Sequence, residues 1–378
     1  MRIASKHWPV PPARGLAARL SQGWNLPARR AALAAMLIGG LASPALAAPQ
    51  QAPEHDLVFT SLRDGIMQIY GARGDGTATR RLTHTSSPEM QPTWSPDGTR
   101  IAFVSFRSGG GDLYVMNADG SDQRRLTQLP GLEQHAAWSP DGQRIAFVSD
   151  TPGRSGILVV PAAGGEPVAV SPPGAEVASP VWSPDGKRIA FVVAQGGTTR
   201  IMIAEPESGA TRLLTQNGKA ERGPLWSPDG RQVLYLHSGG RTEGVNLRLA
   251  DIESGSVTAV TDNRYLNSQP AFSPDGQRIL YLSNADTQGG AMNVHVVRRD
   301  GTGAVNLTRS EVADLDPVWS GDGAHVYFMS FRDWPGRIYR MHADGTGLTK
   351  ITHGPGQDSG PLPRPRIAGH SPNPGSTR

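Results

Sequence analysis

The chain has 378 residues with 37 Lys or Arg, 33 Asp or Glu and no cysteine, which excludes disulfides, thiolate metal centres, a cysteine nucleophile and a lipid-modified N-terminal cysteine. The formal charge of +4 is misleading, because Arg2, Lys6, Arg14, Arg19, Arg29 and Arg30 all precede Ala47 and, without these six, 31 basic residues face 33 acidic ones. Nucleic-acid binding needs a basic face on the folded domain, so no nucleic-acid partner is expected.

Arg29 and Arg30 lead into an apolar run from Ala31 to Leu41, followed by Pro44 and the small-residue pattern Ala45, Leu46, Ala47. This pattern predicts a secretory signal over residues 1–47 and export to the periplasm. A permanent bilayer span needs about 20 apolar residues, so no stable membrane insertion is expected. The long basic lead-in fits either a twin-arginine export signal or a start assigned too far upstream. Residues 48–55 form a short linker.

From Asp56 the chain repeats. The stretch WSPDG at Trp94–Gly98 returns at Trp138, Trp182 and Trp226, then as FSPDG at Phe272 and WSGDG at Trp319, with steps of 44, 44, 44, 46 and 47 residues. A period in that range marks an array of supersecondary units. The second unit shows the pattern best: Trp94, the SPDG turn, IAFVS ending at Ser105, a Gly-rich loop, LYVMNADG ending at Gly120, then RRLT ending at Thr127. Short β-rich runs broken by Gly, Asp and Pro predict four strands per unit, A to D, and no stretch sustains a helical period. Strands B, C and D occur in seven sets, but only six A strands carry the motif. The missing one is expected from the C-terminus, where HGPGQDSGPLP aligns with HTSSPEMQPTW and sets Pro363 over Trp94. The fold predicted is therefore an all-β propeller of four-stranded blades over residues 56–366, seven-bladed and closed by a C-terminal strand, with six blades as the alternative. Pro363 and Pro365 imply that the closing strand is short. A disordered tail follows over 367–378, and the ring is expected to be a monomer.

In SPDG, Pro sets φ, Asp bonds its own backbone and Gly accepts positive φ, so the motif builds an A-to-B hairpin. The aromatic before it is expected to pack between adjacent blades, where truncation to Ala would cost about 3–5 kcal/mol. The repeated Asp residues are expected to serve turns, since they are spread around the ring.

The pattern W-S-P-D-G, I-A-F-x-S, a Y-V-M strand, a D-G turn and L-T resembles the TolB β-propeller repeat over Asp56 to Thr352. That resemblance implies a non-enzymatic periplasmic platform for protein binding, as in the Tol-Pal cell-envelope system, with an envelope protein such as a Pal-like lipoprotein as partner. The family carries a smaller α/β domain before the propeller, for which the few residues after Ala47 leave no room, and its propeller is usually six-bladed.

The mouth of the central channel is the natural place for a site. Five residues before each motif aromatic stand Glu89, Glu133, Val177, Glu221, Asn267 and Asp314, with Asp358 in the closing strand, so five carboxylates are expected around one opening. Two residues further come Gln91, His135, Ser179, Gly223, Gln269, Asp316 and Gly360, suited to a wet channel wall. Such carboxylates either bind backbone amides or neighbouring arginines and are otherwise solvated, or form a docking mouth for a basic or polar peptide, with oxygen ligands that would also suit a calcium ion. The B-to-C loops place Arg63, Arg107 and Arg332 equivalently on blades one, two and seven, either as an arc beside the mouth or paired within each blade with Asp64 or Asp333. Trp334 lies in the third of these loops, as an interface anchor or as packing beneath the loop.

No G-x-S-x-G or H-E-x-x-H motif occurs and no hydrolase domain follows the propeller, so no catalytic residue is assigned. His135, His237 and His295 fall in different units. The alternative function is a glycan-binding or metal-dependent sugar-lyase-like propeller.

Overall fold

The computed structural model describes residues 55–216, 220–240, 243–287 and 289–365. The expected signal, the linker apart from His55, and the tail lie outside these residues. Among the described residues the regular elements are 28 strands in seven four-stranded antiparallel sheets, one per blade, and no helix is long and apolar enough to cross a membrane. At six of the seven blade interfaces strand A packs against the A strand of the neighbouring blade, around a central axis, and strand D is the outer strand of each sheet.

The first blade takes its strand A, Asp358–Pro363, from the far end of the chain. It pairs with Leu57–Ser61, with Leu57 opposite Pro363 and Ser61 opposite Asp358. This closure leaves no open sheet edge between the first and last blades. The closing strand is not shortened: it has six residues, like the A strands Glu89–Trp94 and Glu133–Trp138. Pro361 falls where the pairing register skips, as Pro92, Pro317 and others do in their blades, so it interrupts no regular stretch of ladder. Pro363 marks the strand's end, after which the Arg364 amide donates to the Asp56 carbonyl at 2.7 Å.

The motif aromatics lie between blades as expected. The indole N–H of Trp94 donates to the Leu362 carbonyl at 3.0 Å, Trp138 to Thr93 at 3.2 Å and Trp319 to Ala271 at 3.3 Å, each on the preceding blade. An arginine from that preceding blade covers the ring: Arg100 over Trp138, Arg144 over Trp182 and Arg278 over Trp319. Around these rings the B and C strands of two adjacent sheets interdigitate, with Phe103, Phe147, Phe191 and Phe328 fully buried.

The SPDG turn forms for the reasons its residues dictate. Ser95 donates to the Asp97 carboxylate at 2.5 Å and accepts from the Arg100 amide, while Asp97 accepts from the Thr99 amide. Gly98 takes φ 62°. The turn glycine also meets the proline of the preceding blade's turn: a Cβ on Gly276 would lie 3.2 Å from Pro228. Glycine is thus required there both for φ and for close approach.

Candidate functional site: the loop face and the central channel

Strand A holds the key to the site. Its third residue has a left-handed backbone in all seven blades, at Gln91, His135, Ser179, Gly223, Gln269, Asp316 and Gly360, with φ from 47° to 61°. The resulting bulge turns this residue toward the axis, while the residue two before it is turned into the gap between blades. Glu89, Glu133, Asp314 and Asp358 are therefore fully buried, Asn267 and Glu221 nearly so. The expected ring of solvated carboxylates at one opening does not exist. Each carboxylate is enclosed between its own blade and the preceding one, because the bulge breaks the strand alternation on which that expectation rested.

Their partners are the B-to-C loop arginines. Arg63 Nη2 binds Asp358 at 2.8 Å, Arg107 Nη2 binds Glu89 at 3.2 Å and Arg332 Nη1 binds Asp314 at 3.0 Å. In each case the same guanidinium also donates to the serine two residues earlier, Ser61, Ser105 or Ser330. Each also lies over a strand-C tyrosine: Tyr70 and Tyr114 at 4.6 Å, Tyr339 at 5.8 Å. Pairing inside the blade is what the structure shows, but with the strand-A carboxylates. Asp64 and Asp333 instead accept from the Tyr70 and Tyr339 hydroxyls and pair with Arg81 and Lys350. Burial, then the bond to its aspartate, pushes each of those two tyrosines up to about 12. These are half-buried braces closing blades one, two and seven.

The other four blades treat the same position differently. Blade four has Val177 and blade six the neutral Asn267, whose Nδ2 donates to the Val245 carbonyl at 2.8 Å. Blade three keeps Glu133 without an arginine. Thr127 donates to its Oε2 at 2.9 Å, its Oε1 has no partner among the described residues, and burial raises its pKa to about 7, with Asp112 adding to the rise. Blade five keeps Glu221, bonded by Thr215, with His237 Nδ1 3.8 Å away. Burial raises the Glu221 pKa as well. With these carboxylates held in separate blade gaps, and no three His, Cys, Asp or Glu side chains converging among the described residues, the set does not fit a shared calcium site. The three histidines are likewise apart: His135 at the channel, His237 beside Glu221, and His295 buried in blade six against Asp286.

The bulge residues do line the channel, and they link blades. The His135 amide donates to Gln91 Oε1 at 3.0 Å, the Asp316 amide to Gln269 Oε1 at 2.9 Å, and the Gly360 amide to Asp316 Oδ2 at 3.1 Å. A cavity of about 490 Å³ opens between Gln91, Gln269, Asp316 and Gly360, floored by Pro92 and Pro317.

Trp334 is 83% exposed, so it is not packing beneath its loop. The loop that carries it is pinned on both sides. Asp333 holds Tyr339 and Lys350, the Gly336 amide donates to the Asp333 carbonyl at 2.9 Å, and Phe331 lies 5.9 Å from the indole. Leu62 on blade one and Val312 beside the same loop face are also exposed.

One set of residues escaped the sequence reading. Gln68, Asn293 and Arg337, which open strand C, and Asn246, at the equivalent register in the longer strand of blade five, donate to carbonyls of the following D-to-A loop, such as Ser87, Ser310, Gly356 and Asn263. The signal was available as a polar residue at the same place before strand C in several units, though not in blade three, where Gly156 stands there.

The fold and this loop face define a seven-bladed β-propeller repeat protein whose variable chemistry is concentrated at one end of the ring. The chain matches the TolB beta propeller domain (PD40) over residues 40–124, 90–247 and 241–366. It belongs to that family. A Tol-Pal system protein TolB of Geobacter sulfurreducens is 35% identical over 79 residues, which are 21% of this chain and 18% of that protein. A putative TolB structure from Agrobacterium tumefaciens superposes with a TM-score of 0.50 at 27% identity, covering 61% of this chain and 84% of that one. An oligogalacturonate lyase from Vibrio parahaemolyticus shares the fold with a TM-score of 0.58 at 14% identity, covering 79% and 86%.

Proposed function

We propose that this propeller is an exported, non-enzymatic docking platform of the cell envelope, and that it takes a protein partner, a Pal-like lipoprotein, on the loop face around Trp334. The observation that carries the reading is an 83% exposed tryptophan on a pinned loop, since exposed aromatics held in place lose little entropy on binding and are common interface anchors. Leu62 and Phe331 extend the apolar surface beside it, and the half-buried guanidiniums of Arg63 and Arg332 supply a polar rim. Family membership and the likeness to a Tol-Pal system protein support an envelope role.

The test is binding of the purified Pal-like lipoprotein from the same organism to the intact propeller and to Trp334→Ala. The expected result is a loss of about tenfold or more in affinity with an unchanged melting temperature. No binding by the intact protein, or a large drop in melting temperature with affinity retained, overturns the reading. Metal-dependent cleavage of oligogalacturonate would replace it with a lyase.

A further inference from the structure

The braced blades reveal a vacancy in blade five. In blade two the Arg107 guanidinium touches Glu89, Ser105 and Gln123 and lies over Phe103 and Tyr114. Strand register gives the equivalent residues of blade five. Glu89 faces Ser105 as Glu221 faces His237, and Phe103 faces Tyr114 as Tyr235 faces Arg248. By the same register Val257 stands for Gln123. The place of Arg107, two residues after the serine, is taken by Gly239, which lies in a register shift of strand B and has the Glu243 side chain where its own Cβ would be, so no guanidinium from this position reaches Glu221.

All five counterparts line one cavity. It has a volume of about 470 Å³ and is walled by Thr215, Glu221, Tyr235, His237, Arg248 and Val257. The Glu221 carboxyl that would receive a cation is 2% exposed and bonded through Oε2 to Thr215. Arg248, which replaces the brace tyrosine, lines the cavity but has its guanidinium engaged at the rim, donating to the Thr261 carbonyl and pairing with Asp262 at 3.1 Å. We infer that the cavity between blades four and five is a binding site for a guanidinium or alkylammonium group supplied from outside the chain. The incoming cation takes the place that Arg107 fills internally in blade two. It sits against a buried carboxylate and the Tyr235 ring, the combination that makes such a group worth desolvating. This site stands apart from the Trp334 face and does not depend on docking there.

The experiment is titration of the full chain with methylguanidinium at pH 8, followed by NMR or calorimetry, with N-methylurea as the neutral isostere. Saturable binding of methylguanidinium and none of N-methylurea is expected. Glu221→Gln should lower the affinity by about tenfold or more, and Glu133→Gln, a buried carboxyl in blade three, should leave it unchanged. His237→Ser, which installs the blade-two residue, should raise affinity and keeps the test decisive where Glu221→Gln does not fold. Free arginine and a blocked Gly-Arg-Gly peptide, titrated in parallel, identify the source: tighter free arginine means a small molecule, tighter peptide a partner chain. Equal response to methylguanidinium and N-methylurea, or binding insensitive to Glu221→Gln and to His237→Ser, overturns the inference.

Discussion

Two arcs of the ring are built from the same repeat and solve the same problem in opposite ways. In blades seven, one and two a carboxylate buried at the start of strand A is met by an arginine from its own B-to-C loop, and the loops are short and pinned. In blades four and five the arginine is absent and the B and C strands run on. Blade four extends through Ile189–Gln195 and Thr198–Glu205, and blade five through Gln232–Gly240 and Gly244–Asp251. These longer hairpins reach the next loop, bridging Thr199 to Ala220 and Val245 to Leu266. The aromatic between blades and the SPDG-type turn occur in both arcs, blade one excepted, so they belong to the fold and not to the brace. The brace is optional: blades four and five, which lack it, secure the loop by hairpin length, and blade five also has a cavity at the brace position. The arcs differ both in charge balance and in the length of the B-to-C hairpin.

The sharpest way to break the first arc is to remove its shared strand. Truncation after Thr352 deletes Asp358–Pro363, which exposes the edge of Leu57–Ser61, frees Arg63 of its carboxylate and removes the acceptor of Trp94. A fall in melting temperature of about 10 °C or more is expected, read by calorimetry, because ring closure and one buried pair are lost together. An unchanged melt would mean that six blades suffice.

A smaller effect tests whether the brace can be moved. Asp314→Asn should cost about 2–3 kcal/mol in denaturant unfolding, toward the low end for a broken buried pair because Arg332 is 22% exposed and can reach water. Blade six offers the converse. Asn267→Asp places a carboxylate opposite Ser283 with Ala285 where an arginine would stand, and should cost about 1–3 kcal/mol. Adding Ala285→Arg should recover part of that loss, seen as a favourable coupling in the double-mutant cycle. Strict additivity would show that the brace needs its tyrosine, which blade six replaces with His295.

The ring, its seven blades and its closing strand were legible in the sequence because they rest on periodicity and turn chemistry, which are local. The partners of the arginines were not. Arg332 and Asp314 are 18 residues apart, but Arg63 and Asp358 are 295 apart, and spacing alone does not pair residues across the closure. The buried position of Glu89 and its equivalents depended on a positive φ at Gln91, a non-glycine residue that no propensity flags. The pattern that could have revealed the braces was joint occurrence. The three units with Ser-x-Arg after strand B all have Asp or Glu five residues before the motif aromatic or, in blade one, before the Pro363 that replaces it.

The smallest effect concerns a carboxylate with no brace and no cavity partner of its own. Glu133 has the Thr127 hydroxyl for company, and Asp112, paired with Arg125 at 2.6 Å, as a neighbouring charge. Its pKa is raised to about 7 in the folded chain, chiefly by burial, whereas the unfolded chain releases that proton near the ordinary 4.5. Between these two values the native state holds more protons than the unfolded state, so stability is greatest below about pH 4.5 and declines as pH rises to about 7. At pH 8 the ionised carboxylate is a net burden. Glu133→Gln removes the titrating group and keeps an acceptor for Thr127, so it should flatten this part of the stability profile and leave the variant more stable than the parent at pH 8 by on the order of 1–2 kcal/mol. Urea unfolding at pH 5 and pH 8 measures it. A variant whose loss of stability between those two values matches the parent's would mean that Glu133 is ionised and matched in the native protein, and blade three would then belong with the braced arc.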